Sequence, residues 1–170
     1  MQMSAPGVLA VDDESAHIQS LYGMQHPTAK SFGRQCLIAR KLVESGVRFV
    51  QIYSGGTGNQ ASWDGHLNID QNHRQFALET DQGIAALLED LKQRGLLEST
   101  LVITLAEFGR TPKINGSLGR DHFANAWSAS LSGCGVKGGS LYGKTDEDGQ
   151  TVADGEIGAA EMFATIYKAL

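Results

Sequence analysis

The sequence predicts an α/β fold with a mainly parallel sheet and some antiparallel additions toward its end. Two units, each a helix followed by a strand, carry this prediction. The first joins a helix over 28–45 to a strand over 47–53, and the second joins a helix over 73–94 to a strand over 100–106. Helices that alternate with apolar strands are typical of parallel α/β sheets.

The first unit is defined by helical spacing followed by a β-rich run. We expect Thr28 to cap the helix and Gly46 to end it, with apolar residues at helical intervals between them. Cys36 lies on the apolar face, which predicts a buried structural thiol. Residues 47–53 (VRFVQIY) are rich in β-branched and aromatic side chains, as expected of a strand.

The second unit contains the most apolar strand candidate of the chain. Residues 100–106 (TLVITLA) are almost all apolar, which is typical of a parallel strand buried on both faces. We expect further short strands at 126–131 and 140–142. A turn-rich acidic segment over 143–155 and a last helix from Glu156 complete the chain.

Composition restricts the classes of function. The 170 residues carry a net charge of −5 and no basic run, which disfavours nucleic-acid binding. No apolar stretch is long enough to span a membrane, and no signal peptide is visible. We expect a single domain over 1–170, and the abrupt ends of the sequence favour the C-terminal part of a longer protein.

Polar loops follow both predicted strands, and ligands of open α/β sheets bind beyond the carboxyl ends of strands. The first loop carries Asp64 and His66, which lie two residues apart and so project to the same side of an extended loop. A carboxylate and an imidazole together suit Zn, Mn or Fe ions. An Asx-type turn beside an exposed histidine is the competing interpretation.

The second loop adds Glu107 and His122. Glu107 follows the apolar strand directly, so its carboxylate needs a cation or hydrogen-bond donors. Metal binding and an ion pair with Arg110 are the two competing solutions. Asp121 either supports the metal site beside His122 or pairs with Arg120.

Together the loops predict a divalent-metal centre. The predicted metal ligands are Asp64, His66, Glu107 and His122, and the metal is Zn, Mn, Mg or Ca. The predicted substrate-binding residues are Arg110, Arg120 and Asp121, since guanidinium groups suit phosphate and sulfate oxygens. Such a metal lowers the pKa of bound water or orients an anionic substrate.

Other sequence motifs are weaker indications of a functional site. Residues 56–61 fit G-x-G-x-x-A, but no helix begins within the motif as a dinucleotide site requires. We interpret His73 as a solvated or capping residue and 146–149 as a solvated turn. Ser54 and Thr57 are possible nucleophiles, although no G-x-S-x-G motif surrounds them.

Several runs resemble one family. The segments SFGRQCLIARKLVESGVRFVQIYSGG, WDGH and LVITLAEFGRTP, with GRDH further along, resemble the sulfatase-like bacterial family called domain of unknown function 1501. The resemblance covers about residues 16–170. It implies a link to the alkaline phosphatase and sulfatase superfamily, and therefore a three-layer α/β/α fold. It also implies a metal-dependent hydrolase of phosphate or sulfate esters, with an anionic small-molecule or carbohydrate ester as substrate.

The same resemblance assigns roles and leaves an alternative open. Asp64 and His66 look like its Asp/His ligand loop, and His122 looks like a late histidine ligand. Glu107-Phe108 stands where the superfamily has Asp-His, and the nucleophile belongs to an N-terminal half that this sequence lacks. A degenerate or partial non-catalytic module is therefore the alternative. Full-length members are expected to be exported, and a homo-oligomer is a further possibility.

Overall fold

A computed structural model describes residues 5–55 and 62–170 of the chain. Helices dominate its first half and short strands its second. Within the described residues the helices are α1 (Ala5–Leu9), α2 (Ala16–Leu21), α3 (Lys30–Glu44), α4 (Ile69–Gln93) and α5 (Ala159–Ala169), with a 3₁₀ turn at Leu97–Ser99. The strands are β1 (Val102–Thr104), β2 (Gly109–Arg110), β3 (His122–Phe123), β4 (Ser130–Ser132), β5 (Lys144–Thr145) and β6 (Val152–Asp154).

The strands form three two-stranded antiparallel sheets, β1 with β4, β2 with β3, and β5 with β6. The predicted mainly parallel sheet, and the three-layer alkaline-phosphatase-like fold with it, is therefore wrong. Residues 47–53 join no sheet, and Phe49 and Tyr53 are 63% and 73% exposed. An apolar run signals a need for burial, but it does not specify which strand will pair with it or in which direction.

Two helices build the core, as the periodicity predicts. Helices α3 and α4 correspond to the predicted helices over 28–45 and 73–94. A Cβ on Gly83 would lie 3.3 Å from the Gly33 Cα, so these glycines let the two helices approach closely. The buried side chains between them and the N-terminal segment are Val11, Ile18, Tyr22, Met24, Cys36, Leu37, Ala86, Leu87 and Leu91.

The Cys36 thiol is only 1% exposed, which confirms the predicted buried thiol. Burial raises its pKa to about 12. The predicted Thr28 cap is wrong, because Ala29 occupies the N-cap position of α3. The His26 Nδ1 instead accepts hydrogen bonds from the backbone N–H groups of Thr28 and Ala29, at 3.3 and 3.1 Å.

An ionic network is buried where α3 meets α4. The Arg40 Nε lies 2.8 Å from Asp90 Oδ2, and both side chains are almost fully buried. Arg40 also contacts Glu14 and Glu44, each at 2.6 Å. The Tyr22 hydroxyl donates to Asp90 Oδ2 at 3.1 Å. Burial, aided by the charge of Asp90, raises the pKa of Tyr22 well above its usual value.

The second half of the chain holds shorter elements than the sequence predicts. Of 100–106, only Val102–Thr104 forms a strand. The strand predicted over 126–131 appears as Ser130–Ser132, whereas 140–142 forms none. Among the described helices, none is both long enough and apolar enough to cross a membrane.

Candidate metal centre

A short hairpin brings distant residues to one place. Strand β2 pairs with β3 so that Arg110 lies opposite His122. A bridge between Leu67 and Leu118 then joins this region to the loop before α4. The Arg120 N–H reinforces the junction by donating to the Gly65 carbonyl at 3.0 Å. These contacts bring the two predicted loops together, in place of the parallel-sheet edge that the sequence predicted.

Glycine is required at the closest point of this junction. A Cβ on Gly119 would collide with the carbonyl group of His66. A Cβ on Gly65 would lie 2.6 Å from the Ile69 Cδ1. The absence of a side chain at Gly119 therefore lets the two loops lie against each other, and its absence at Gly65 leaves room for Ile69 of α4.

Three of the four predicted ligands converge. The His122 Nε2 lies 2.9 Å from Asp64 Oδ1, and the His66 Nε2 lies 3.1 Å from the same oxygen. The two Nε2 atoms are 3.2 Å apart. Asp64, His66 and His122 thus form a group that could hold a metal ion. Glu107 is exposed and lies outside this group.

The separations fit a single ion. Bonds of about 2.0–2.2 Å place neighbouring ligand atoms roughly 2.9–3.5 Å apart in octahedral or tetrahedral coordination. Two imidazole nitrogens with one carboxylate oxygen form a donor set that suits Zn, Mn and Fe. The His66 and His122 side chains are 33% and 52% exposed, so solvent can supply further ligands.

The hydrogen bonding of His66 leaves an acceptor nitrogen facing the other two candidate ligands. The His66 Nδ1 lies 3.1 Å from Asp121 Oδ1. Because a carboxylate only accepts, Nδ1 donates there, and the neutral ring then has a lone pair on Nε2. That lone pair faces the carboxylate oxygen of Asp64. A proton on His122 Nε2, which lies 2.9 Å from the Asp64 oxygen and 3.2 Å from the His66 nitrogen, or a metal ion among the three atoms would satisfy both acceptors.

The carboxylates are held in their charged form. Partial burial alone would raise the pKa of Asp64, but hydrogen bonds from His122 and Arg110 outweigh it and place the pKa below its usual value. Hydrogen bonds from Asn115 and His66 lower the pKa of Asp121 in the same way. Both carboxylates are therefore ionised at neutral pH, as metal binding requires.

The two predicted anion-binding arginines have different surroundings. The Arg110 Nη2 lies 2.6 Å from Asp64 Oδ1, so its ion pair goes to a candidate ligand and not to Glu107. The Arg120 Nη1 donates to the backbone carbonyls of Thr111 and Pro112, each at 2.5 Å. Arg120 thus supports the loop between β2 and β3. The anion-binding role of either side chain stays a prediction.

Some residues singled out in the sequence lie beside the centre without joining the ligand group. The Trp63 ring packs on His73, with ring centroids 5.4 Å apart. Burial lowers the pKa of His73, and the positive charges of Arg110 and Arg120 add to this. The Ser54 Oγ accepts a hydrogen bond from Trp63 Nε1 at 2.9 Å. Thr57 and the G-x-G-x-x-A run at 56–61 lie outside the described residues.

Sequence reasoning missed Asn115. Its side chain bonds both to the His66 carbonyl and to Asp121 Oδ1, and thus touches two parts of the centre. The only local signal is the Asn115-Gly116 pair, which is typical of a turn. The turn predicted at 146–149 is present, with Asp146 accepting hydrogen bonds from the backbone N–H groups of Gln150 and Thr151.

A comparison with protein families matches residues 1–170 to the family described as "Protein of unknown function (DUF1501)". No match was found among curated proteins or among solved structures.

Proposed function

The chain belongs to the DUF1501 family, whose function is unknown, and we propose that it binds a divalent metal ion and supports hydrolysis of a phosphate or sulfate ester. The observation that carries this proposal is the triangle of Asp64 Oδ1, His66 Nε2 and His122 Nε2, with sides of 2.9–3.2 Å. Zn or Mn suits these nitrogen-containing donors better than Mg or Ca, which prefer oxygen ligands.

The residues of the candidate centre would have separate roles in metal and substrate binding. Asp64 and the two histidines hold the ion, and Asp121 fixes the ring of His66 through Nδ1. Arg110, one-fifth exposed and 2.6 Å from Asp64, is placed to bind an anionic oxygen beside the ion. A bound divalent ion supplies positive charge that polarises an ester oxygen and lowers the pKa of a water.

One observation supports a second candidate. In the metal-free arrangement Arg110 already neutralises Asp64, and the His122 Nε2–H lies within reach of both remaining acceptors, Asp64 Oδ1 and His66 Nε2. A non-catalytic module with an ion-paired cluster would have the same arrangement of side chains. Metal affinity separates the two candidates, since an ion-paired cluster gains nothing from Zn or Mn.

The first test is metal binding by chelator-treated protein. Isothermal titration with Zn²⁺ and Mn²⁺ should show one ion per chain. Asp64→Asn, His66→Ala and His122→Ala should each weaken binding by at least the tenfold to hundredfold that even a supporting residue costs. The matched control is His17→Ala, an exposed histidine on α2, which should bind like wild type. Equal binding by all five proteins would overturn the proposal.

The second test is hydrolysis. The metal-loaded protein should release nitrophenol from p-nitrophenyl phosphate or p-nitrophenyl sulfate, and Asp64→Asn should abolish the release. Metal binding without either hydrolysis would leave the metal site standing and reject these two ester classes. In that case the chain is a metal-binding module.

A further inference from the structure

All four hydrogen-bonding positions of the Asn115 amide are engaged. Its Nδ2 donates to the His66 carbonyl at 3.1 Å and to Asp121 Oδ1 at 3.0 Å. Its Oδ1 accepts from the backbone N–H groups of Ser117 and Gly119, each at 2.9 Å. An Asn side chain offers two donors and two lone pairs, so none remains free. Because all four hydrogen-bonding positions are occupied, the orientation of the Asn115 amide is fixed.

The donors and the acceptor of Asn115 serve different purposes. The acceptor bonds are local and close the turn over 115–119. One donor bond joins Asn115 to His66, 49 residues earlier in the chain, and the other goes to Asp121, six residues later and beyond the turn. Reversing the amide would place its oxygen against two other acceptors, the His66 carbonyl and the Asp121 carboxylate, which the network forbids. The NH₂ group therefore faces the metal centre.

Asp121 transmits this orientation to His66. Its Oδ1 receives hydrogen bonds from both Asn115 Nδ2 and His66 Nδ1. With Oδ1 held in place, the His66 ring carries its proton on Nδ1 and keeps the Nε2 lone pair toward Asp64 and His122. The tautomer that metal binding needs is thus set by two residues that are not ligands.

We propose that Asn115 is a positioning residue of the metal centre, which holds Asp121 so that His66 presents Nε2 to the ion. The proposal rests on the proposed function for its ion. The tautomer that it assigns to His66 exists without metal, however, and can be measured independently.

Asn115→Asp separates positioning from turn formation. An aspartate at this position keeps an acceptor oxygen for the N–H groups of Ser117 and Gly119, but it has no donor for the His66 carbonyl or for Asp121. The new negative charge would by itself strengthen binding of a cation. A fall in metal affinity would therefore come from lost positioning and not from charge.

The experiment is nitrogen-15 NMR of histidine-labelled, metal-free protein at about pH 8, where an ordinary histidine is uncharged. Wild type should show His66 protonated on Nδ1, and Asn115→Asp should shift the ring toward the Nε2–H form. Titration with Zn²⁺ should show affinity lower by about tenfold to hundredfold. Asn125→Asp, which adds the same charge at an exposed position three residues after His122, should keep the wild-type tautomer and should bind Zn²⁺ at least as tightly as wild type.

The outcomes decide separately on the two proposals. A folded Asn115→Asp protein with unchanged His66 tautomer and unchanged affinity overturns the role of Asn115. If this variant does not fold, Asp121→Ala replaces it, and an unchanged tautomer there overturns the role equally. A wild type that shows the tautomer but binds no metal overturns the proposed function and leaves the assignment of Asn115 intact.

Discussion

At the scale of single residues, burial decides how much an ion pair contributes. The Arg40–Asp90 contact spans 2.8 Å with both side chains at most 2% exposed. The Arg74–Asp70 contact spans 2.9 Å, with the side chains 78% and 71% exposed. Water screens the exposed pair and competes with it. Loss of Arg40, in contrast, would remove one of the two guanidinium groups beside the buried Asp90 carboxylate, which would keep Arg94 Nε at 2.7 Å and the Tyr22 hydroxyl at 3.1 Å.

Arg40→Met should lower the free energy of unfolding by up to about 3–5 kcal/mol, because it removes a buried charge that contacts Asp90, Glu14 and Glu44 and leaves the buried Asp90 carboxylate with fewer donors. Arg74→Met on the exposed pair should lower it far less, because water screens this pair. Urea unfolding followed by circular dichroism measures both. Similar losses in the two variants would show that Arg94 and Tyr22 suffice to stabilise the Asp90 carboxylate when Arg40 is removed.

The residue types in a sequence indicate possible metal ligands, but they do not show which of these side chains will lie together in the fold. Asp64, His66 and His122 were predictable, because few side chains bind metals and these stand in glycine-containing loops. Glu107 has the right chemistry and still lies outside the group. Asn115 was not predictable, since an asparagine before a glycine signals only a turn. Its role depends on a contact with His66 that no local pattern encodes.

At the scale of elements, the sequence predicted the helices, but it did not predict how the strands pair. The period of 3.6 residues that defines α3 and α4 is contained within each segment. A strand, by contrast, is completed by a partner elsewhere, and Val102–Thr104, predicted to be a parallel strand, pairs with Ser130–Ser132 in an antiparallel sheet. Three of the candidate ligands converge nonetheless, because the hairpin of β2 and β3 replaces the expected edge of a sheet.

The contact between this hairpin and the loop before α4 should depend on the missing side chain of Gly119. In Gly119→Ala, a methyl group would press on the His66 carbonyl and displace the loop that carries Asp64. We expect a stability loss of about 1–3 kcal/mol and clearly weaker Zn²⁺ binding. Thermal unfolding and isothermal titration measure these effects.

Gly116→Ala is the matched control in the same loop. A Cβ at Gly116 would meet none of the described atoms within 4 Å, and its backbone is not in the left-handed region. This variant should match wild type in melting temperature and in metal affinity. Equal behaviour of the two alanine variants would mean that the loops are not in close contact.

At the scale of the whole molecule, the buried core is confined to the helical half. None of the residues of α5 is buried, and Phe163 and Tyr167 on it are 57% and 74% exposed. These two aromatic rings lie four residues apart and so share one face of the helix. Residues 47–53 add further exposed apolar surface. Apolar patches of this kind typically mark surfaces that bind another chain.

We therefore expect the isolated chain to self-associate through the face of α5, in line with the homo-oligomer considered from the sequence. Sedimentation velocity over a wide concentration range should show a monomer–oligomer equilibrium. Replacing both Phe163 and Tyr167 with Ser removes the largest apolar groups of this face and should shift the equilibrium toward monomer. Leu78→Ser, at an exposed leucine on α4, is the control and should leave the equilibrium unchanged. A monomer at all concentrations, or equal association by all three proteins, would show that α5 does not mediate contact between copies of this chain.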